Sequence, residues 1–207
     1  MLTVLGKLPS INVRKVLWTA GEIGLAYERE DWGLGFASTR SADFLALNPN
    51  GQVPVVRTED GVLWESNSIC RYLAHREGRH DLLPADAWGR ALVERWMDWQ
   101  ATDLNGAWRY AFLGLARRNP AFQDRAAIED SLRAWTGKME ILDRQLAATG
   151  AFVAGSAFTL ADVVIGLSVN RWLKTPVERP ALPAVDAYFG RLSRRPAFLG
   201  HAHPEKV

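Results

Sequence analysis

Asn48-Pro49-Asn50-Gly51-Gln52-Val53-Pro54-Val55-Val56, followed by Arg57-Thr58-Glu59-Asp60-Gly61-Val62 and Leu63-Trp64-Glu65-Ser66, is the stretch from which the rest of the chain is read. Val53–Thr58 and Val62–Trp64 are short β-branched and apolar runs. Between them, Asp60-Gly61 readily takes positive φ and marks a hairpin. Pro54 stands at the mouth of the first run, where a central strand could not spare the missing N–H. It is tolerable there if it faces a ligand or forms a tight X-Pro corner, the setting in which cis bonds occur. Such a corner would leave the Val53 N–H and C=O without a partner strand, free to pair with an extended peptide. The second run passes directly into Glu65-Ser66 and a helical pattern of Ile69, Cys70, Tyr72 and Leu73. A carboxylate and a hydroxyl are thereby set at a helix start, where free N–H groups and the dipole favour an anion. A backbone edge, an anion site and a carboxylate for a cation together suit a small zwitterionic peptide.

Outward from the hairpin, Leu2–Leu5 reads as a strand broken by Gly6 and Pro9. Ser10 precedes a helix over about Asn12 to Gly24, with Val13, Val16, Leu17 and Ala20 at helical spacing and Gly24 as C-cap. A strand over Ala26–Glu30, a Gly-rich loop and one helical turn over Asp43–Leu47 lead back to the hairpin. The helix after Ser66 runs to about Glu77. Residues 78–86 read as a linker, since Pro84 bars a continuous helix. From Ala87 to Ala148 only helical spacing appears. Thr159 then caps a helix with Asp162 as a short-armed capping-box acid and Phe158 and Val163 as a staple. Leu160–Val169 is apolar nearly all round, as befits a buried axis. Pro183–Arg194 is read as the final helix, stopped by Pro196.

The pattern Asn-Pro-x-Gly-x-Val-Pro followed by Glu-Ser at a helix start resembles the glutathione-binding half of the cytosolic glutathione transferases, and the likeness extends over essentially the whole chain. It implies an α/β thioredoxin-like domain over 1–77, a linker over 78–86 and an all-α helical-bundle domain over 87–207 that carries the electrophile pocket. It further implies that Val53 and Pro54 hold the cysteinyl backbone of glutathione, and that Glu65 and Ser66 hold the γ-glutamyl head. Gln52, with Arg40, falls beside the glycyl carboxylate; Trp32, Thr39 and Arg40 lie on the loop that closes over that end. Ser10 and Asn12 flank the start of the first helix, where the family places its thiol activator. Their segment resembles the bacterial serine-type and Thr/Asn-type members, theta-like or nu-like. No tyrosine or cysteine occurs in the first 20 residues, which excludes a tyrosine-type class and counts against the mixed-disulfide chemistry of cysteine-type relatives. Both residues also have a plain reading as helix caps, and the two roles are compatible. The electrophile pocket is expected between the domains at Trp108, Arg109 and Phe112. Of these, Trp108 and Phe112 are spaced i, i+4 as core residues would be, and at least one of the pair is expected in the core.

Composition bounds the alternatives. The 207 residues are 48% hydrophobic, and 25 basic against 23 acidic residues leave a net charge of +2, so nothing calls for nucleic acid or membrane. The one cysteine, Cys70, reads as a buried structural thiol and excludes an internal disulfide framework. The N-terminus lacks the charged flank and long apolar core of a signal peptide, so a soluble cytoplasmic protein is expected. His75, His80, His201 and His203 show no metal-ligand spacing, and His201-Ala-His203 reads as a solvated tail. The resemblance therefore implies a homodimeric enzyme that conjugates glutathione to a hydrophobic electrophile, without a metal. Its alternatives are a glutathione-dependent peroxidase or disulfide-bond reductase and, from another class, a non-catalytic glutathione- or ligand-binding or interaction protein on the same fold.

Overall fold

The computed structural model describes residues 1–202. Two compact units appear: Met1–Ala85 together with Pro196–Ala202, and Asp86–Arg195. The first is built on a four-stranded sheet of β1 (Leu2–Leu5), β2 (Tyr27–Glu30), β3 (Val55–Thr58) and β4 (Gly61–Trp64), in the order β2-β1-β3-β4. β1 runs parallel to β2 and antiparallel to β3, and β3 and β4 form the expected hairpin with Thr58 opposite Gly61. Because strand side chains alternate in direction, β1 and β3 cover both sheet faces. Leu5 and its partner Val55 are fully buried against Phe44 of α2 (Ala42–Leu47). Val4 and its partner Val56, equally buried, point to the opposite face.

Helix α1 (Ile11–Ile23) starts where Ser10 accepts a hydrogen bond from the Val13 N–H. It ends at Gly24, whose φ of 78° is the left-handed conformation that glycine adopts without steric cost, while the Leu25 N–H closes onto the Ala20 carbonyl at 2.9 Å. α1 packs along α3 (Ser66–Arg76). One expectation fails here. Pro196 does not merely stop α8 (Pro183–Leu192); it opens a further helix, α9 (Pro196–Ala202), because proline is well placed in a first helical turn. Phe198 of α9 is fully buried, edge-on to Trp18 of α1 with ring centroids 4.8 Å apart. α9 thus belongs with the sheet unit, and among the described residues the helical unit ends at Arg195. His201 is half-buried beside Gly21, and burial pushes its pKa down, so it is not a solvated tail. His203 lies outside the described residues.

The second unit is helical: α4 (Ala87–Trp99), α5 (Asn105–Ala111), α6 (Arg125–Thr149), α7 (Leu160–Lys174) and α8. The path from α4 through α5 is widened into π-turns at Gln100–Leu104 and Phe112–Ala116. At the first of these, the buried Gln100 amide donates to Asn105 Oδ1 at 2.9 Å and to Ser168 Oγ of α7 at 3.1 Å. α7 is the buried axis that its uniform apolarity indicates. Asp162, fully buried in its first turn, accepts from the Val153 N–H (2.9 Å), the Thr159 N–H (2.8 Å) and the Tyr188 hydroxyl (3.1 Å). Burial raises its pKa to about 6 even though all these donors favour the charged form. Asp162→Ala would strand two N–H groups and a phenol in the core, so a loss of about 2–5 kcal/mol is expected in urea unfolding at unchanged m-value.

Candidate active site

The cleft forms where three connections of the sheet unit converge. β1 leaves the sheet at Gly6, whose φ is +152°; a Cβ there would collide with Val13 Cγ2 and lie 3.1 Å from Val53 Cβ. Only glycine lets the end of β1 pass this close to both the first turn of α1 and the Val53 loop. That loop is held from within by Asn48, which is 2% exposed. Its amide donates to the Gln52 carbonyl at 2.8 Å and its Oδ1 accepts from the Asn50 N–H at 3.0 Å, an Asx turn. The loop closes with a cis Val53–Pro54 bond. Among the described residues, neither the N–H nor the C=O of Val53 makes a hydrogen bond. An extended chain can pair with both.

The third connection is Glu65, between β4 and α3, with φ 74° and ψ 107°. A non-glycine residue held at positive φ is strained, and such strain concentrates at functional positions. The first turn of α3 has no side-chain cap and no acidic residue, so its N–H groups beside the buried Ser66 are available to an anion. The exposed Glu65 carboxylate pairs with no cation among the described residues. Asn12, Asn48, Gln52, Val53, Pro54, Glu65 and Ser66 together line a cleft of about 140 Å³.

Six of the residues expected from sequence are thus gathered: Asn12, Gln52, Val53, Pro54, Glu65 and Ser66. Ser10 is not among the lining residues; its hydroxyl serves as the N-cap of α1. Arg40 is exposed and borders the same loop, since a Cβ on Gly51 would meet its Nη1 at 3.0 Å. Trp32 stacks on Phe44 with centroids 5.0 Å apart and donates to Glu30. Asn48 also lines the cleft, a residue the sequence marks only as part of a turn, since Asn before Pro-Asn-Gly is a turn signal.

In the second unit, Phe112 is 3% exposed and belongs to the core. Trp108 donates to Asn105 Oδ1 at 3.0 Å, and the Arg171 guanidinium lies 4.2 Å from the Trp108 ring and 4.1 Å from that of Phe112. Arg109 is exposed. A separate cleft of about 310 Å³ is lined by Arg95, Trp96, Trp99 and Gln145, none of them expected from sequence. Among the described residues, no group of His, Cys, Asp or Glu could hold a metal, and no helix is long and apolar enough to cross a membrane.

Around one cleft the thioredoxin-like unit thus carries an unbonded backbone edge, an uncapped helix start and an exposed carboxylate, and it is joined to an all-α unit. Two family models match the chain: the glutathione S-transferase N-terminal domain over residues 1–75 and the C-terminal domain over 107–196. Glutathione S-transferase GstB of Escherichia coli K12 is 37% identical over 199 residues, 95% of each chain. The theta class glutathione S-transferase of Xanthomonas axonopodis pv. citri, solved with glutathione bound, superposes with a TM-score of 0.91 at 37% identity, covering 98% of this chain and 97% of that one. A probable elongation factor 1-gamma 2 of Arabidopsis thaliana is 30% identical over 90% of this chain, which spans 45% of that protein. The chain belongs to the glutathione S-transferase family.

Cys70 lies one turn into α3, fully buried, and burial raises its thiol pKa to about 11 although Lys15, Arg71 and the Thr19 hydroxyl pull the other way. The native protein should leave this thiol unmodified by an aromatic disulfide reagent at mildly alkaline pH, and titrate one thiol per chain in concentrated guanidinium.

Proposed function

We propose that the protein is a glutathione transferase: it binds reduced glutathione in this cleft, favours the ionised thiol and directs it at a hydrophobic electrophile. The carrying observation is that Asn12, the unpaired Val53 edge, Glu65 and Ser66 line one cleft. In this reading the cysteinyl backbone pairs with Val53. The γ-glutamyl carboxylate sits on Ser66 and the first turn of α3, and the γ-glutamyl amine meets Glu65. The glycyl carboxylate is held by Gln52 and Arg40.

A thiol with an ordinary pKa of about 8.5 is mostly protonated at neutral pH. An amide or hydroxyl donor at the start of α1 stabilises the ionised sulfur, and Asn12, which lines the cleft, is the better placed of the two candidates; Ser10 assists as cap. The sulfur–carbon bond forms as the bond to the leaving group breaks, and the thiol proton passes to solvent. The protein contributes binding, thiol ionisation and proximity. Each unit also exposes large apolar side chains, Val62 and Trp64 in one and Trp88 in the other, which supports assembly of two copies. The lone, buried Cys70 suits a reducing compartment, and the cytoplasm is the proposed location.

Glu65→Ala should weaken reduced glutathione by about 1.5–3 kcal/mol in calorimetry, the scale of a charged hydrogen bond. In a thiolate absorbance titration, Asn12→Ala should raise the pKa of the bound thiol, and by more than Ser10→Ala does. An unchanged titration in both variants removes them as activators. Side-by-side turnover of a halonitrobenzene and an organic peroxide should favour the first; the reverse preference would make the protein a glutathione-dependent peroxidase.

A further inference from the structure

We propose that Lys15 is a positioning residue of the cleft: through Asn67 it fixes the first turn of α3, and with it the seat of the γ-glutamyl carboxylate, against α1. The inference rests on the reading of the cleft as a glutathione site.

Lys15 is 1% exposed, inside the apolar face that α1 turns toward α3. Lysine is almost never buried this completely, because removing an ammonium from water is costly unless its N–H groups are satisfied. Its Nζ donates to Asn67 Oδ1 at 3.1 Å across the helix pair, and Asn67 is itself 9% exposed. Asn67 directly follows Ser66, so the bond ends in the first turn of α3, behind the uncapped N–H groups that face the cleft. On α1, Asn12 and Lys15 are three residues apart and share a face. One helix therefore presents Asn12 to the cleft and, a turn further in, Lys15 to the base of the carboxylate seat. Lys15 is also near enough to the Cys70 thiol, the next turn of α3, to favour its ionised form, so its field reaches along the start of that helix. A methionine would fill the same space without desolvating a charge. The ammonium at this place points to orientation of the seat rather than to filling of the core.

The test compares two peptides by calorimetry: reduced glutathione and 4-aminobutyryl-cysteinyl-glycine, which lacks only the γ-glutamyl α-carboxylate. Lys15→Met should weaken glutathione about tenfold and the truncated peptide by less than about twofold, and Asn67→Leu should do the same. Asn67→Asp, which keeps the acceptor, should restore glutathione binding to within about twofold of the native protein. The double variant Lys15→Met/Asn67→Leu should be no weaker than either single one, since both break one link. Equal losses for the two peptides, or no loss in either single variant, would overturn the proposal, and additive losses would do so as well. If the native protein binds glutathione and Lys15→Met binds it unchanged, only this inference fails. A native protein that binds neither peptide would remove the glutathione reading itself.

Discussion

The cleft of the sheet unit is organised around one hydrogen-bonding pair, the N–H and C=O of Val53, which is unmet among the described residues. A backbone amide without a partner is costly unless water or another chain supplies one, and a folded protein rarely leaves a pair open at the end of a sheet strand. Here the open pair is protected by construction. Pro54 ends the loop without an N–H of its own, Asn48 ties the loop from inside, and Gly6 allows the end of β1 to pass where any side chain would collide. Together these features hold the loop in place with its strand-like edge unbonded among the described residues.

The site's electrostatics follow from where α1 and α3 begin. Both helix starts lie at the cleft, one carrying Asn12 and the other Ser66, so the partial positive charge of two N-termini is directed at one small space. Glu65, the one carboxylate lining the cleft among the described residues, sits before α3 rather than in its first turn, and so faces the cleft without neutralising those N–H groups. An amino-acid head group needs this combination, an anion seat with an adjacent acid. The strain at Glu65, φ 74°, is the conformational cost of turning from β4 into α3 within one residue.

Much of this was legible from sequence wherever local chemistry is decisive. Asp60-Gly61 marked the hairpin, Gly24 the end of α1, and the apolar run after Thr159 the buried axis of the helical unit. The cleft-lining pairs Val53-Pro54 and Glu65-Ser66 stand out in sequence because each is contiguous and its turn and helix-start chemistry is local. What escaped depends on tertiary placement. Nothing in a Glu-Ser dipeptide announces positive φ, and nothing in Arg-Lys-Val announces a lysine sealed between two helices. The π-turns at Gln100–Leu104 and Phe112–Ala116 leave no mark in the local spacing; at the first, Gln100 bonds Ser168 of α7, a partner distant in sequence. Pro196 reads as a stop because a proline that ends one helix and one that starts another look alike in sequence; Phe198 packing on Trp18 distinguishes the two.

Family membership fixes the fold and leaves the chemistry to the site, since one fold serves many activities. The open edge at Val53 is therefore the feature on which glutathione binding in this cleft depends. Amide hydrogen exchange at Val53, followed with and without saturating reduced glutathione, reads that edge directly. The account predicts fast exchange in the free protein and strong protection of the Val53 N–H in the complex. Bound glutathione that leaves Val53 exchanging as fast as before would contradict it.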